Sequence, residues 1–216
     1  IEGETERLLA TGKLVGVVGG DHSVSFGAIK AIARRHQGLG ILHVDAHADL
    51  RRAYEGFAWS HASIMHNVAE RLGEVSRIVQ VGIRDLGEDE QKMIADAHGR
   101  IVTHFDADLA AARFAGETWA AQTATIVTAL PREVYLSVDI DGLDPALCPH
   151  TGTPVPGGLS FAELSFLLGA VVNGGRRIVG FDLVEVAPGP DGDEWDANVG
   201  ARVLYKMIGW ALRSVQ

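Results

Sequence analysis

The sequence predicts one α/β domain in which helices cover both faces of a parallel sheet. Short apolar runs rich in Val, Ile and Leu alternate with helical patterns along the 216 residues. These runs are continuous rather than alternately polar, as expected for strands buried on both faces. Several end in glycine, of which the chain has 26, and glycine suits tight strand-to-helix turns. No linker or repeat divides the chain, so we expect a single domain.

Each element follows from its own local pattern. The predicted strands are Leu14–Val18, Ile41–Val44, Arg77–Gly82, Arg100–Thr103, Val134–Val138 and Ile178–Val184. Helices are expected at residues 1–12, 23–36, 64–72, 88–98, 117–130, 160–172 and 197–214. Ser23 and Ser60 are predicted N-caps, and Ser160 with Glu163 forms a predicted capping box. Pro131 ends a helix because proline lacks the backbone N–H.

Composition excludes several classes of function. The formal charge of −9 argues against a nucleic-acid partner, since phosphates select basic surfaces. No apolar stretch approaches the length of a membrane span, so we expect no membrane association. Cys148 is the only cysteine, which excludes an intrachain disulfide and favours a reducing, cytoplasmic location.

Four potential metal ligands stand directly after one predicted strand. In extended backbone alternate side chains share a face, so His43, Asp45, His47 and Asp49 would lie together. Carboxylates crowded in this way need protons, a cationic partner or a metal ion. A polar strand end followed by a solvated loop would give the same pattern. Whether these residues bind a metal therefore depends on further ligands elsewhere in the chain.

Other acids and histidines also follow predicted strands. His22 follows the first strand, Asp139 and Asp141 follow the fifth, and Glu185 follows the last. Because sites of parallel α/β sheets lie beyond the carboxyl ends of the strands, these residues should converge. Each one alone could be a loop residue in water, but their joint placement favours a shared site.

The types of ligand predict a pair of divalent metal ions. The set holds two imidazoles and four carboxylates without a thiolate: His22, Asp45, His47, Asp49, Asp139 and Asp141. It is too large for one tetrahedral zinc ion, and its mixed nitrogen and oxygen donors favour manganese. Two such ions can activate a shared water, so the residues indicate metal-assisted hydrolysis.

Three stretches resemble the metal-binding motifs of the ureohydrolases, the superfamily of arginase, agmatinase and formiminoglutamase. They are Gly19–Ser23, Asp45–Asp49 and Ser137–Pro145, and residues 152–158 and 182–186 resemble later family segments. The resemblance implies an arginase-like, three-layer α/β/α sandwich with a mostly parallel central sheet, and a centre of two Mn²⁺ ions. Residues 1–216 would be one ureohydrolase-like domain without the N-terminal strand and loop of that family.

The resemblance also assigns the metal ligands. One ion would be held by His22, Asp45, Asp49 and Asp139, and the other by Asp45, His47, Asp139 and Asp141. Asp45 and Asp139 would bridge the ions. His43 is expected to orient a carboxylate rather than bind metal.

Further roles carried over by the resemblance concern catalysis. Asp141 would pass a proton to the leaving amine, and Glu185 would pair with the guanidinium of the substrate, a match of planar cation and carboxylate. His61 would be a proton shuttle and substrate contact, and Thr153 a substrate contact. For His61 the alternative is a solvated histidine at the start of a helix.

The substrate is predicted from the loop Tyr54–Ser63. This loop looks like agmatinase-type loops and lacks the asparagine with which arginases recognise a carboxylate. Agmatine is therefore the first choice, giving putrescine and urea. Guanidinobutyrate or another guanidino acid is next, because Arg51, Arg52 and Arg84 could meet a carboxylate. Arginase or formiminoglutamase activity, or an inactive metal-binding interaction subunit, stays open. Family members usually form trimers or hexamers, so an intact chain should be a homo-oligomer.

Overall fold

A computed structural model describes residues 1–215 of the chain and contains one sheet of six parallel strands. Their spatial order is β1-β6-β5-β2-β3-β4, and every neighbouring pair is parallel. The strands are β1 Val15–Val18, β2 Leu39–Val44, β3 Val75–Ile83, β4 Ile101–Phe105, β5 Glu133–Asp139 and β6 Arg177–Val184. The predicted parallel α/β fold is confirmed.

Eight α-helices accompany the sheet within residues 1–215. They are α1 Glu2–Leu9, α2 Ser25–Ala33, α3 Ile64–Arg71, α4 Glu88–Asp96, α5 Asp106–Phe114, α6 Trp119–Ala129, α7 Phe161–Asn173 and α8 Trp195–Arg213. Short 3₁₀ turns cover His22–Val24, His61–Ser63, Ile140–Gly142 and Pro190–Gly192. No helix in this part of the chain has both the length and the apolar character to cross a membrane.

The helices form two layers, one on each face of the sheet. Ile41 and Tyr135 are fully buried in the core shared with helices α1 to α4. Their chain neighbours Leu42 and Leu136 are equally buried in the core shared with α5 to α8. Because successive side chains of a strand point to opposite faces, one apolar run supplies both cores. This arrangement is the predicted three-layer sandwich.

Several local predictions need correction. Helix α5 was missed, because only Leu109 of its nine residues is buried and the apolar pattern is therefore weak. The N-cap prediction for Ser23 was wrong: Asp21 accepts from the backbone N–H of Ser23 and starts a 3₁₀ turn, and α2 follows from Ser25. Ser60 does precede a 3₁₀ turn, but its hydroxyl contacts that of Ser63 instead of a backbone amide. The Ser160 capping box is confirmed.

The order of the strands reverses direction at the centre of the sheet. Strands β2 and β5 are neighbours at its centre, and the next strands in sequence, β3 and β6, lie on opposite outer sides of this pair. Helix connections therefore diverge above these two carboxyl ends and leave a crevice, which is where ligands bind in open α/β sheets.

Candidate metal centre

A first cluster of ligand-type side chains surrounds Nδ1 of His22. This atom lies 3.1 Å from Asp49 Oδ2, 3.2 Å from Asp45 Oδ2 and 3.5 Å from Asp139 Oδ2. All four side chains are buried. They follow three different strands, β1, β2 and β5, whose carboxyl ends bring them together. We call these four residues the His22 group.

A second cluster surrounds Nδ1 of His47. This atom lies 3.1 Å from Asp141 Oδ2 and 3.4 Å from Asp45 Oδ1. The backbone N–H of Ala46 donates to Asp141 Oδ1 over 3.0 Å and orients that carboxylate. We call Asp45, His47 and Asp141 the His47 group. The side chain of His47 is 23% exposed, so this cluster faces solvent more than the His22 group does.

Asp45 joins the two groups. Its Oδ2 faces His22 and its Oδ1 faces His47. Each oxygen is also held by a hydrogen bond, Oδ2 by His43 Nε2 at 2.8 Å and Oδ1 by the backbone N–H of His47 at 2.6 Å. A carboxylate fixed in this way presents one oxygen to each cluster, as a bridge between two ions requires.

Asp139 lies with the His22 group. Its Oδ2 faces His22, whereas its Oδ1 accepts a 2.9 Å hydrogen bond from the backbone N–H of Asp141. That hydrogen bond tightens the 3₁₀ turn after β5 and sets the spacing between the two carboxylates. Its predicted bridging role stays a prediction.

The crowded carboxylates perturb one another. Burial, followed by the charge of Asp45, raises the pKa of Asp49, Asp139 and Asp141. Burial alone would also raise the pKa of Asp45, but His43, His22 and His47 around it hold that pKa well below its ordinary value. Asp45 is thus the most firmly ionised carboxylate of the centre.

The pKa values of the two imidazoles are also raised, which for a histidine favours the charged form. Burial opposes their protonation, yet the facing carboxylates outweigh it. The pKa of His22 is raised well above its ordinary value, and that of His47 is raised to about 11 by Asp141 and Asp45. The centre therefore demands positive charge, which protons supply when no metal is bound and which divalent ions can replace.

The tautomer of His22 suits metal binding at Nδ1. Ser137 Oγ donates its one proton to Asp182 Oδ1 over 3.0 Å, so it must accept from His22 Nε2, 2.9 Å away. Neutral His22 then turns its Nδ1 lone pair toward three carboxylates, and this buried atom has no hydrogen-bond partner among the described residues. A lone pair beside carboxylates is a fitting site for a divalent cation.

His43 lies close enough to belong to the His22 group, but its hydrogen bonds argue against metal binding. Gln80 Nε2 donates to the carbonyl of Ala48 over 2.7 Å, which settles the orientation of the amide, and also contacts His43 Nδ1 at 3.0 Å. His43 Nδ1 must therefore accept, and Nε2 must carry the proton that it donates to Asp45. This agrees with the expectation that His43 orients a carboxylate.

The predicted substrate residues surround the same centre. Glu185 is half-buried, and its Oε1 accepts a 2.8 Å hydrogen bond from the backbone N–H of His22. Burial raises the pKa of Glu185. His61 is partly exposed, with Nδ1 3.9 Å from Asp21 Oδ2 and its ring against Tyr54 at 5.4 Å between centroids.

A cavity of about 130 Å³ opens next to the His47 group. Thr153 lines it, with Oγ1 3.4 Å from Asp141 Oδ2. The other lining residues are His47, Asp49, Arg51, Tyr54, His61, Ala62, Asp85 and Glu90. Of the predicted site residues, His47, Asp49, His61 and Thr153 therefore line this cavity, Glu185 is not among its lining residues, and the individual roles stay predictions.

Sequence reasoning missed the supporting residues. Ser137, Asp182 and Gln80 are all fully buried and hold the histidines of the centre. Asp182 lies between Phe181 and Leu183, and Gln80 lies between Val79 and Val81, so each has buried apolar neighbours in its strand. A buried polar side chain in such a run needs a partner, so this signal could have revealed them.

One sequence prediction is contradicted. Arg84 was offered as a partner for a substrate carboxylate, but its guanidinium donates to the backbone carbonyls of Gly82, Asp141, Leu143 and Val155. Backbone groups of the surrounding loops therefore occupy the donors that a substrate would need.

The sequence and the fold are matched among known proteins. A sequence model described as the Arginase family matches residues 1–209. The chain belongs to the arginase family. This confirms the resemblance to the ureohydrolases and agrees with the order of strands and ligand-type residues described above.

Relatives within the arginase family carry several names. The chain is 38% identical to the proclavaminate amidinohydrolase of Streptomyces clavuligerus, covering 88% of this chain and 60% of that protein. It is 38% identical to the N(1)-aminopropylagmatine ureohydrolase of Thermus thermophilus, covering 97% and 66%, and 34% identical to the agmatinase of Halalkalibacterium halodurans, covering 97% and 68%. The chain thus spans about two thirds of the length of these relatives.

A solved structure confirms the fold. The crystal structure of the Streptomyces clavuligerus proclavaminate amidinohydrolase superposes with a TM-score of 0.83 at 27% identity, covering 99% of this chain and 69% of that one.

Proposed function

We propose that this arginase-family chain is a hydrolase that uses two Mn²⁺ ions to cleave a guanidino compound into urea and an amine. The observation that carries the proposal is the linkage of the His22 group to the His47 group through Asp45, with the Glu185 carboxylate beside His22. Imidazole and carboxylate donors suit manganese.

Bound at the two groups, a pair of divalent ions would polarise the substrate and lower the pKa of a shared water. The proposed ligands are His22, Asp45, Asp49 and Asp139 for one ion and Asp45, His47, Asp139 and Asp141 for the other. The support for this assignment is the 3.1–3.5 Å approach of the carboxylate oxygens to the two Nδ1 atoms.

Three side chains would handle the substrate and its protons. Glu185 would bind the guanidinium, since a carboxylate next to the centre offers a charge-assisted hydrogen bond. Asp141 would accept a proton at Oδ2, which lies 3.4 Å from Thr153 Oγ1 at the cavity, and pass it to the leaving amine. His61, partly exposed at the cavity, would exchange that proton with solvent.

Agmatine is the proposed substrate. Two relatives are named for agmatine or for an aminopropyl derivative of it. The carboxylate of Asp85, which lines the cavity, could pair with a cationic tail. Arg51 stacks over Tyr54 at 5.5 Å and lies 3.6 Å from Glu90, so its charge is already partly balanced. Hydrolysis of agmatine would yield putrescine and urea, and the chain would then act in polyamine synthesis.

A guanidino acid is the second candidate. Arg51 lines the cavity, and one relative is named a proclavaminate amidinohydrolase. An arginine there could bind a carboxylate on the substrate if it left Glu90.

The decisive experiment incubates the purified chain with Mn²⁺ and measures urea from agmatine, guanidinobutyrate and arginine, and formamide from formiminoglutamate. We expect urea from agmatine at the highest rate, and none after chelation. A higher rate with guanidinobutyrate would favour the second candidate. Two bound metal ions without turnover of any substrate would contradict the proposal and indicate an inactive homologue. Association into a trimer or hexamer, and a cytoplasmic location, stay predictions that light scattering and cell fractionation would test.

A further inference from the structure

Arg84, which follows β3, is surrounded by backbone carbonyls. Its Nε and one terminal nitrogen donate to Val155 at 3.1 and 2.9 Å, and the other terminal nitrogen donates to Gly82 at 3.0 Å. The nitrogen that reaches Val155 also donates to Asp141 at 2.7 Å and to Leu143 at 3.2 Å. Among the described residues no carboxylate lies within 4 Å of this guanidinium. Its N–H groups therefore donate to backbone carbonyls alone.

These carbonyls belong to different segments around the His47 group. Asp141 and Leu143 lie in the turn after β5, and Val155 lies in the loop that carries Thr153. A guanidinium with five N–H donors in a rigid plane can tie several carbonyls together, whereas a lysine ammonium cannot match that geometry. Arg84 therefore holds the backbone of Asp141 through its carbonyl oxygen.

The backbone of Arg84 holds the other ligand loop. Its N–H donates to the carbonyl of Ala46 over 2.8 Å, and the N–H of Asp85 donates to the same oxygen over 3.0 Å. Ala46 stands between Asp45 and His47, and its own N–H donates to Asp141 Oδ1. One residue thus connects the loop of His47 with the loop of Asp141. Among the described residues, neither His22 nor Asp49 is a hydrogen-bond partner of Arg84.

The loop around Arg84 is shaped to admit the guanidinium. Gly157 and Gly158 both have positive φ, 101° and 94°. A Cβ at Gly158 would lie 2.7 Å from the carbonyl oxygen of Leu143 and 2.9 Å from the nitrogen of Arg84 that this oxygen accepts from. Only glycine permits that approach, so the loop and the arginine are matched to each other.

We propose that Arg84 is a positioning residue for one metal ion of the pair, the ion held by the His47 group. The inference rests on the proposed two-metal function. It assigns to the arginine no contact with the ion or with substrate. The guanidinium acts through the carbonyl of Asp141 and through those of Leu143 and Val155 in the adjoining loop, so its loss should loosen the His47 group and spare the other site.

The test measures metal binding by the Arg84→Lys variant, using calorimetric titration with Mn²⁺. Arg100→Lys is the matched control, because Arg100 also donates to three backbone carbonyls, those of Val75, Ala69 and Leu72, at the opposite end of the sheet. We expect Arg84→Lys to bind one Mn²⁺ with unchanged affinity and the second about 10–100-fold more weakly. Arg100→Lys should lose thermal stability but keep both sites.

Equal weakening of both sites in Arg84→Lys, or no weakening of either, would overturn the inference. If this variant does not fold, Arg84→Gln, whose amide keeps two N–H donors, replaces it in the same titration. The same selective loss of the second Mn²⁺ is then expected. Wild-type protein that binds two Mn²⁺ but releases no urea would contradict the proposed function alone, since the metal titration still decides the role of Arg84.

Discussion

The backbone N–H of His22 donates a 2.8 Å hydrogen bond to Oε1 of Glu185, 163 positions later in the chain. Glu185 holds a left-handed backbone with φ of 62°, which costs a residue with a Cβ roughly 1–2 kcal/mol. That conformation is supported because the N–H of Glu185 donates to Gly20 and its carbonyl accepts from Thr151 Oγ1, both at 2.9 Å. The fold thus tolerates a strained backbone at Glu185, and this conformation holds its carboxylate beside the His22 group.

Glu185→Gln tests the proposed guanidinium contact. Glutamine keeps an oxygen for the N–H of His22 but removes the negative charge, so the fold and both metal sites should persist. We expect kcat/KM for agmatine to fall roughly 10–100-fold, the worth of one hydrogen bond to a charged group. Steady-state urea kinetics measure this. Glu70→Gln, at an exposed position, is the control, and an unchanged kcat/KM in Glu185→Gln would refute the contact.

Asp141→Asn tests the proton acceptor and the His47 group together. The substitution removes a charged ligand 3.1 Å from His47 Nδ1 and lowers the basicity of the side chain. We expect urea release to fall by at least about 100-fold and the second Mn²⁺ to bind more weakly. Asp144→Asn is the control three residues away, where the carboxylate only accepts from the N–H of Ala146. Full activity in Asp141→Asn would contradict the proposed mechanism.

The stability of metal-free protein should fall as the pH rises above 6.5. The pKa of His47 is about 11 in the folded chain against an ordinary 6.5, so its proton stabilises the fold fully below 6.5 and is lost as the pH rises toward 11. Mn²⁺ takes the place of that proton, so the increase in Tm on adding Mn²⁺ should grow with pH.

Thermal unfolding at about pH 6, 7.5 and 9, with chelator or with Mn²⁺, measures this dependence. In His47→Asn the part of the pH dependence that comes from this imidazole should disappear, whereas His98→Asn should behave as wild type. An Mn²⁺-induced shift that stays constant across this range would show that protons and metal do not compete.

Gly142→Ala should destabilise both the fold and the centre. A Cβ there would lie 2.8 Å from the backbone nitrogen of Asp45 and 2.9 Å from Val44 Cγ1, where the ends of β2 and β5 approach. Overpacking of this kind costs about 1–3 kcal/mol. Thermal unfolding should show a lower Tm, and Mn²⁺ binding should weaken. Gly152→Ala is the matched control, since nothing lies within 4 Å of its Cβ, and equal Tm values for both variants would contradict this account.

Much of the fold was predictable because the strands carry their own signal. Buried parallel strands are apolar on both faces, and a run of Val, Ile or Leu residues marked each of the six strands in the sequence. Helix α5 lacked such a signal, since its burial against the sheet rests mainly on Leu109. The predicted N-cap at Ser23 failed because Asp21 accepts from the backbone N–H of Ser23 and draws that residue into a 3₁₀ turn before α2.

By itself the sequence determined the class of fold, the family and the residues that follow each strand, because strand periodicity and short motifs are local properties. Only the tertiary structure decided that Asp45 turns one oxygen to His22 and the other to His47. It also decided that Arg84 serves loop carbonyls and not a substrate. These relationships depend on the order and register of strands far apart in the chain, and no local pattern encodes that order.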